Sequence, residues 1–462
     1  MPIDSPTTTP TRRYLRARRE GTYDPAGVAV ALAESGLFDE SLVYERDARW
    51  WFAGGAVLVL AIHHDTVTAT HADEHTSMPW TRSPARAIDA ALRRAPVRDW
   101  RLYGHWDFEL GAAIAGLPSP DGERALGRLT VPRVEVEIDA HTLTVRALDP
   151  DDLERVLRTA LAAAPRPIAP TRPVDVEAGE PARFTTAAAA AVEHIRAGEL
   201  DKLVLSRSVP VPYPVDFPAT YLRGRRANTP ARSFLLDLPG LRAAGFSPTT
   251  LVEIDADARI TTRPLAGTCP RDGDPAFDAR RRTALLRDAK EVYEHAVSVH
   301  QADTELRALC EPDSVTVDAF TTVEEHGSVH HLGSRVHGRL DPRHGPWDAL
   351  VALFPAGTAS GIPKTTACSM IAGYEDTPRG LYAGVVVRAT HAGELDAALA
   401  LRMVYTRDGG TWLRAGAGIV ADSRPVREYR DTCHTLAAVA PHVVPQVVPH
   451  PRNPPAPPDT PA

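Results

Sequence analysis

The chain has 462 residues, 43% of them hydrophobic and 24% charged, a composition that excludes disordered and fibrous classes and allows a sizeable core. A net charge of -7 without a basic stripe of interleaved aromatics argues against a nucleic-acid binder. The longest apolar stretch, near 56–62, is too short to span a bilayer. Four cysteines spaced far apart point to a reduced, cytoplasmic protein rather than a disulfide or metal framework.

Residues 1–20 are rich in Arg, Thr and Pro but lack the apolar core of a signal peptide, and read as a disordered leader. A β-rich N-terminal part covers 21–165. In it, strands over 44–62 turn at Gly54-Gly55, and a second pair over 128–148 alternates through Val134-Glu-Val-Glu-Ile138. A helix spans 152–163, and a proline-rich linker covers 166–182. Region 183–441 begins with a helix at 185–197 and the strand Lys202-Leu-Val-Leu-Ser-Arg207. Strands follow at 232–237 and 250–262, then one long helix over 277–309. Further strands are expected at 314–340 and 381–420, the latter interrupted by a helical segment at 393–401, before a last helix at 425–439. The tail 442–462 is dominated by proline and reads as disordered. Strands and helices come in blocks rather than in βαβ alternation, which predicts an α+β fold with large mixed or antiparallel sheets.

Only three of the 52 basic side chains are lysines: Lys202 in an apolar strand, Lys290 at the head of a helix, and Lys364 closing Thr358-Ala-Ser-Gly-Ile-Pro-Lys364. Burial can lower a lysine's pKa until it serves as a base, which arginine cannot do. Two helices carry acids three apart, Glu291 with Glu294 and Glu428 with Asp431, so each pair shares one helix face. One such pair is ordinarily solvated surface; two converging pairs would suit Mg²⁺. Leu265-Ala-Gly-Thr268 and Arg414-Ala-Gly-Ala-Gly-Ile419 are small-residue strand ends where backbone N–H groups could approach an anion. Arg402, in an apolar strand, needs a partner, either a substrate carboxylate or an internal acid. Neighbouring His330 and His331 point to opposite faces of their strand.

Taken in order, these segments resemble the chorismate-utilising enzymes, and among them the salicylate synthases of siderophore pathways. Lys202-Leu-Val-Leu-Ser-Arg207, Asn228-Thr-Pro-Ala-Arg-Ser-Phe-Leu-Leu236, Pro264-Leu-Ala-Gly-Thr268, Lys290-Glu-Val-Tyr-Glu-His-Ala296, Gly327-Ser-Val-His-His-Leu-Gly-Ser334, Thr358-Ala-Ser-Gly-Ile-Pro-Lys364 and Pro378-Arg-Gly-Leu-Tyr-Ala-Gly384 fall in register. The resemblance implies two large β-sheets packed face to face and wrapped by helices. It implies that Glu291, Glu294, Glu428 and Asp431 surround Mg²⁺, which holds the ring carboxylate of chorismate. Arg402, Tyr382 and the backbone near Gly416 would take the enolpyruvyl carboxylate, with Gly267, Thr268, Thr358 and His331 lining the pocket. Lys202 would be an uncharged base activating water at ring C2. Amine-transferring relatives have glutamine there, so a monomer without a glutaminase subunit is expected. The implied reaction runs from chorismate through isochorismate to salicylate and pyruvate.

Three positions depart from the pattern. Thr249, in Gly245-Phe-Ser-Pro-Thr-Thr250, stands where the family has the glutamate that protonates the departing C4 hydroxyl. Glu253 is four residues on, roughly 13 Å away along a strand. Thr435 replaces a lysine, and Asp431 shortens one acidic ligand. Two alternatives follow: an enzyme that performs only the elimination on isochorismate or a related ring, and a non-catalytic paralogue.

Overall fold

Two long strands, Arg49–Ile62 and Gly127–Ile138, set the architecture. The computed structural model describes residues 12–118, 124–167, 169–178, 181–271, 273–326 and 329–446. The two strands pair along their whole length, and each serves two sheets. The first half of Arg49–Ile62 pairs with Ser41–Arg46 and its second half with Thr66–His71. Gly127–Ile138 likewise divides between Arg101–Trp106 and Thr142–Ala147. A register shift between Ala56 and Leu58 bends the shared pair, as bulges do at sheet corners.

Gly54-Gly55 therefore sits inside a strand and is not a turn. A Cβ on Gly54 would come within 2.5 Å of the Phe38 ring, which explains the glycine. The chain reverses instead at Asp47-Ala48, both at positive φ (51° and 59°), the two-residue connection that matches strand twist.

From this corner one sheet continues through Ser41–Arg46, Arg232–Leu238, Leu241–Ser247, Met403–Arg407, Gly410–Ile419 and Lys202–Pro210. The other continues through Arg101–Trp106, Val385–Thr390, Leu395–Leu399, Thr250–Ile254, Arg259–Thr262 and Val329–Arg339, which also pairs with Leu265–Pro270 and Thr316–His326. All these ladders are antiparallel. The α+β fold is the one expected, with two sheets face to face: one core joins Leu203, Leu236 and Ile419 to Trp106, Val252 and Val387. A second core packs the outer face of the first sheet (Val43, Leu235, Val404) against helices Pro25–Ala33, Pro150–Leu161 and Phe217–Ala227.

Several boundaries move. Leu15–Glu20, inside the expected leader, is a strand paired with Thr142–Ala147. Residues 1–11 and 447–462 lie outside the described residues. The proline-rich stretch is tied down where Arg172 N and Val174 N donate to Val443 O and Ala440 O, and buried Val443 and Val444 belong to the expected tail. The long helix is two, Pro275–Arg287 and Ala289–Arg307, because Asp288 leaves helical geometry to cap the second. Leu395–Leu399 is a strand, its helical composition overridden by pairing on both edges. The last helix is Pro425–Leu436.

Candidate active site

The Asp288 carboxylate accepts from Lys290 N (3.1 Å) and Glu291 N (3.3 Å), a cap worth about 0.5–2 kcal/mol. It fixes the first turn of Ala289–Arg307, which carries Lys290, Glu291 and Glu294. Pro425–Leu436 supplies Glu428 and Asp431, and Arg427 joins the two helices by donating to Asp288 Oδ2 (3.0 Å) and Glu291 Oε1 (2.9 Å). The two acid pairs converge as the spacing suggested. All four carboxylates line one cavity of about 120 Å³, with Thr249, Gly267, His331, Thr358, Tyr382, Arg402 and Gly416 on its other walls. The side chain of Thr268 lies outside the described residues.

The centre of the acidic end is Lys290. Its ammonium donates to Glu291 Oε1 (3.3 Å), Glu294 Oε2 (3.0 Å) and Glu428 Oε2 (3.3 Å). Burial tends to raise the pKa of Glu294, but Lys202 and Lys290 overcome it and hold the carboxyl down to about 2. The other three acids move the opposite way. Burial raises Glu291 and Glu428, and carries Asp431 up to about 7, because Lys290 and Arg427 offset it only in part. Among the described residues no three acidic, histidine or cysteine side chains meet closely enough to enclose a metal unaided. Mg²⁺ does not require that, since it takes one or two carboxylates and fills its shell with water and substrate oxygens. The hard-oxygen donors, the surplus negative charge and the buried Oε1 of Glu428, without a hydrogen-bond partner among the described residues, fit such an ion.

Lys202 departs from expectation. It is fully buried and is not among the residues that line the cavity; its Nζ pairs with Glu294 Oε1 (2.9 Å) and donates to Ser298 Oγ (3.1 Å). A carboxylate partner thus replaces the isolated amine that the sequence suggested. Lysine 290, given no role there, is the group in the middle. Its signal was the i, i+4 spacing to Glu294.

Arg402, also on the cavity wall, lies just before its strand in left-handed geometry (φ 49°), which is costly for arginine and common at functional sites. Burial lowers its pKa to about 10. It donates to His331 Nε2 through a short contact, while His331 Nδ1 lies 3.1 Å from Gly267 O. That pattern assigns His331 the neutral Nδ1–H tautomer, an orienting role for Arg402. Gly267 is the extra residue of a bulge (φ 68°). His330, on the other strand face, is fully buried away from the cavity. Tyr382 has its pKa pushed up to about 12 by burial. Gly418 was not singled out from sequence: a Cβ there would lie 2.0 Å from Glu294 Oε1, so only glycine lets that carboxylate lie against the strand.

The Thr249 hydroxyl donates to Arg263 O (2.6 Å), so its proton is committed to the backbone. Glu253 is tied to Arg232 (3.0 Å) and Thr250 (3.0 Å) and does not line the cavity. Thr435 does line it.

Comparison with known proteins places this geometry. The family described as chorismate binding enzyme matches residues 40–441. The chain belongs to that family. A salicylate synthase of Mycolicibacterium paratuberculosis is 39% identical over 91% of this chorismate-utilising enzyme and 94% of its own length. An anthranilate synthase component 1 of Streptomyces coelicolor is 40% identical over 62% of the chain and 58% of its own length. Among solved structures, the menaquinone-specific isochorismate synthase of Escherichia coli superposes with a TM-score of 0.71 at 20% identity, covering 95% of this chain and 96% of that one. At that identity it bears on the fold alone. No helix among the described residues is long and apolar enough to cross a membrane.

Proposed function

We propose that the protein converts chorismate, through isochorismate, to salicylate and pyruvate with Mg²⁺, as a monomer without a glutaminase subunit. The observation that carries this reading is one cavity lined both by four carboxylates and by the Arg402–His331 pair. Chorismate bears two carboxylates, and a net acidic protein must bind them by local reversal of charge. Glu291, Glu294, Glu428 and Asp431 would hold the ion, which supplies positive charge for the ring carboxylate. Arg402, oriented by His331, takes the enolpyruvyl carboxylate beside Tyr382. Lys202, uncharged once the ion has taken Glu294 from it, receives the proton of the attacking water, and Glu294 stays a carboxylate. Elimination then moves the C2 hydrogen to the departing enolpyruvyl group and needs no acid from the protein. A 39% identical salicylate synthase matched over nearly its full length supports this branch.

The commitment of the Thr249 proton to Arg263 O favours a second reading, elimination from isochorismate alone. Product chromatography on chorismate and isochorismate, each with Mg²⁺ and with EDTA, decides. Salicylate and pyruvate are expected from both substrates, and neither product in EDTA. Salicylate from isochorismate alone would establish the second reading, and turnover undiminished by EDTA would remove the metal.

A further inference from the structure

All three lysines of the chain end on acids of one helix, Ala289–Arg307. Lys202 and Lys290 reach Glu294, and Lys364 reaches Glu305 (2.6 Å) almost three turns further on. The Glu305–Lys364 pair has no part in the site described above. Its Glu305 lines a second, smaller cavity of about 30 Å³, room enough for a water. Thr249, Thr358 and Leu399 belong to the walls of both cavities, so Thr249 stands between them. The wall of the small chamber is mostly apolar, but Thr262, Ser298, Gln301 and Glu305 bring polar groups to it. Gln301 Nε2 donates to Glu305 Oε1 (2.6 Å), and Lys364 Nζ also donates to Leu353 O (2.7 Å), so the pair is held in place.

We propose that the chamber holds one water that relays a proton from the Glu305–Lys364 pair, past Thr249, to the ring hydroxyl that leaves during isomerisation. The inference rests on the reading that chorismate is isomerised. Threonine is shorter than the glutamate of the family motif and leaves its proton on Arg263 O, so the lone pairs of Oγ1 remain to position a water. Burial lowers the pKa of Lys364 although Glu305 raises it, consistent with an ammonium that can give up a proton. The balance is complete. Water bonds to C2 and its proton goes to Lys202. The C4–O bond breaks, and the departing oxygen takes a proton from the chamber water, which is refilled from the Glu305–Lys364 pair. One water enters and one leaves, and after turnover Lys202 gives its proton to solvent while the Glu305–Lys364 pair takes one back. Glu305 and Lys364 act through the water and are positioning residues.

The test uses the full chain with Mg²⁺ and reads the ratio of the chorismate rate to the isochorismate rate. Glu305→Gln and, independently, Lys364→Met should each lower that ratio at least about tenfold, because removal of general acid catalysis falls on isomerisation. Adding Thr249→Glu to Glu305→Gln should restore the ratio, since a carboxyl in the main cavity makes the relay unnecessary. An unchanged ratio, an equal fall in both rates with a lower melting temperature, or no restoration by Thr249→Glu would each overturn the relay. A wild-type protein inactive on chorismate overturns the underlying reading as well. That failure is distinguishable, because it appears before any variant is made.

Discussion

Two buried charge clusters behave in opposite ways. Beside a cavity of about 560 Å³, larger than the candidate site, Glu375 accepts from Arg379, from Arg414 and from Ser206 N and Oγ. Burial works to raise its pKa, but Arg379 and Arg414 hold the carboxyl below the usual range. In the smaller cavity the acids outnumber the lysines that reach them, and Glu291, Glu428 and Asp431 are raised. Both clusters are buried and both are ionic. In the first, the carboxylate is matched by the protein's own donors, which suits a role in the fold, whereas in the second negative charge is left over, which suits a group that arrives from solution. Cavity size alone would have pointed to the first cluster instead.

Substitutions can break this contrast. Lys202→Ala should lower chorismate turnover by about 10²–10⁴-fold while chorismate binding, followed by calorimetry, stays within a few-fold. Turnover near the wild-type rate would remove the Lys202–Glu294 pair from the chemistry. Glu375→Ala should act on the fold instead, costing about 3–5 kcal/mol in urea unfolding because Arg379 and Arg414 are left buried without their acid. Unaltered stability would show that the matched cluster is not structural. Thr249→Glu should raise the chorismate rate at least about tenfold by placing a general acid in the main cavity; an equal or lower rate would show that the position no longer matters.

The smallest effect concerns pH. Asp431 binds its proton more tightly folded (about 7) than in its ordinary state (3.8), so it takes stability away as pH rises from about 4 to 7. Glu294, shifted down to about 2, has the opposite sign: its contribution is present above about 4.5 and is lost only as pH falls toward 2. In EDTA, Asp431→Asn should therefore flatten the decline of Tm between pH 4 and 7, and Mg²⁺ should flatten it in the wild type. An identical Tm profile for variant and wild type would remove the surplus charge at this residue.

Periodicity and composition were enough to read much of the fold. The Lys202 strand, the alternating strand at Val134–Ile138 and the last helix all lie close to where the pattern puts them, because a half-buried element must repeat its apolar face. The four acids and Arg402 were legible from spacing and from the family motifs. Other features were not. Gly54-Gly55 looks like a turn until Phe38 explains it, and Leu395–Leu399 looks helical until two neighbouring strands claim its backbone.

The sequence by itself determined which side chains carry charge, which helix faces hold paired acids, and that Thr249 breaks the motif. Only the tertiary structure decided who meets whom: Lys290 at the centre of the carboxylates, Lys202 behind Glu294, and Glu305 across a water-sized chamber from Thr249. The physical reason is distance. Spacing along a helix or strand fixes neighbours a few residues apart, but a buried charge takes its partner from whichever element packing brings within about 3 Å, as Lys290 does with Glu428, 138 residues away.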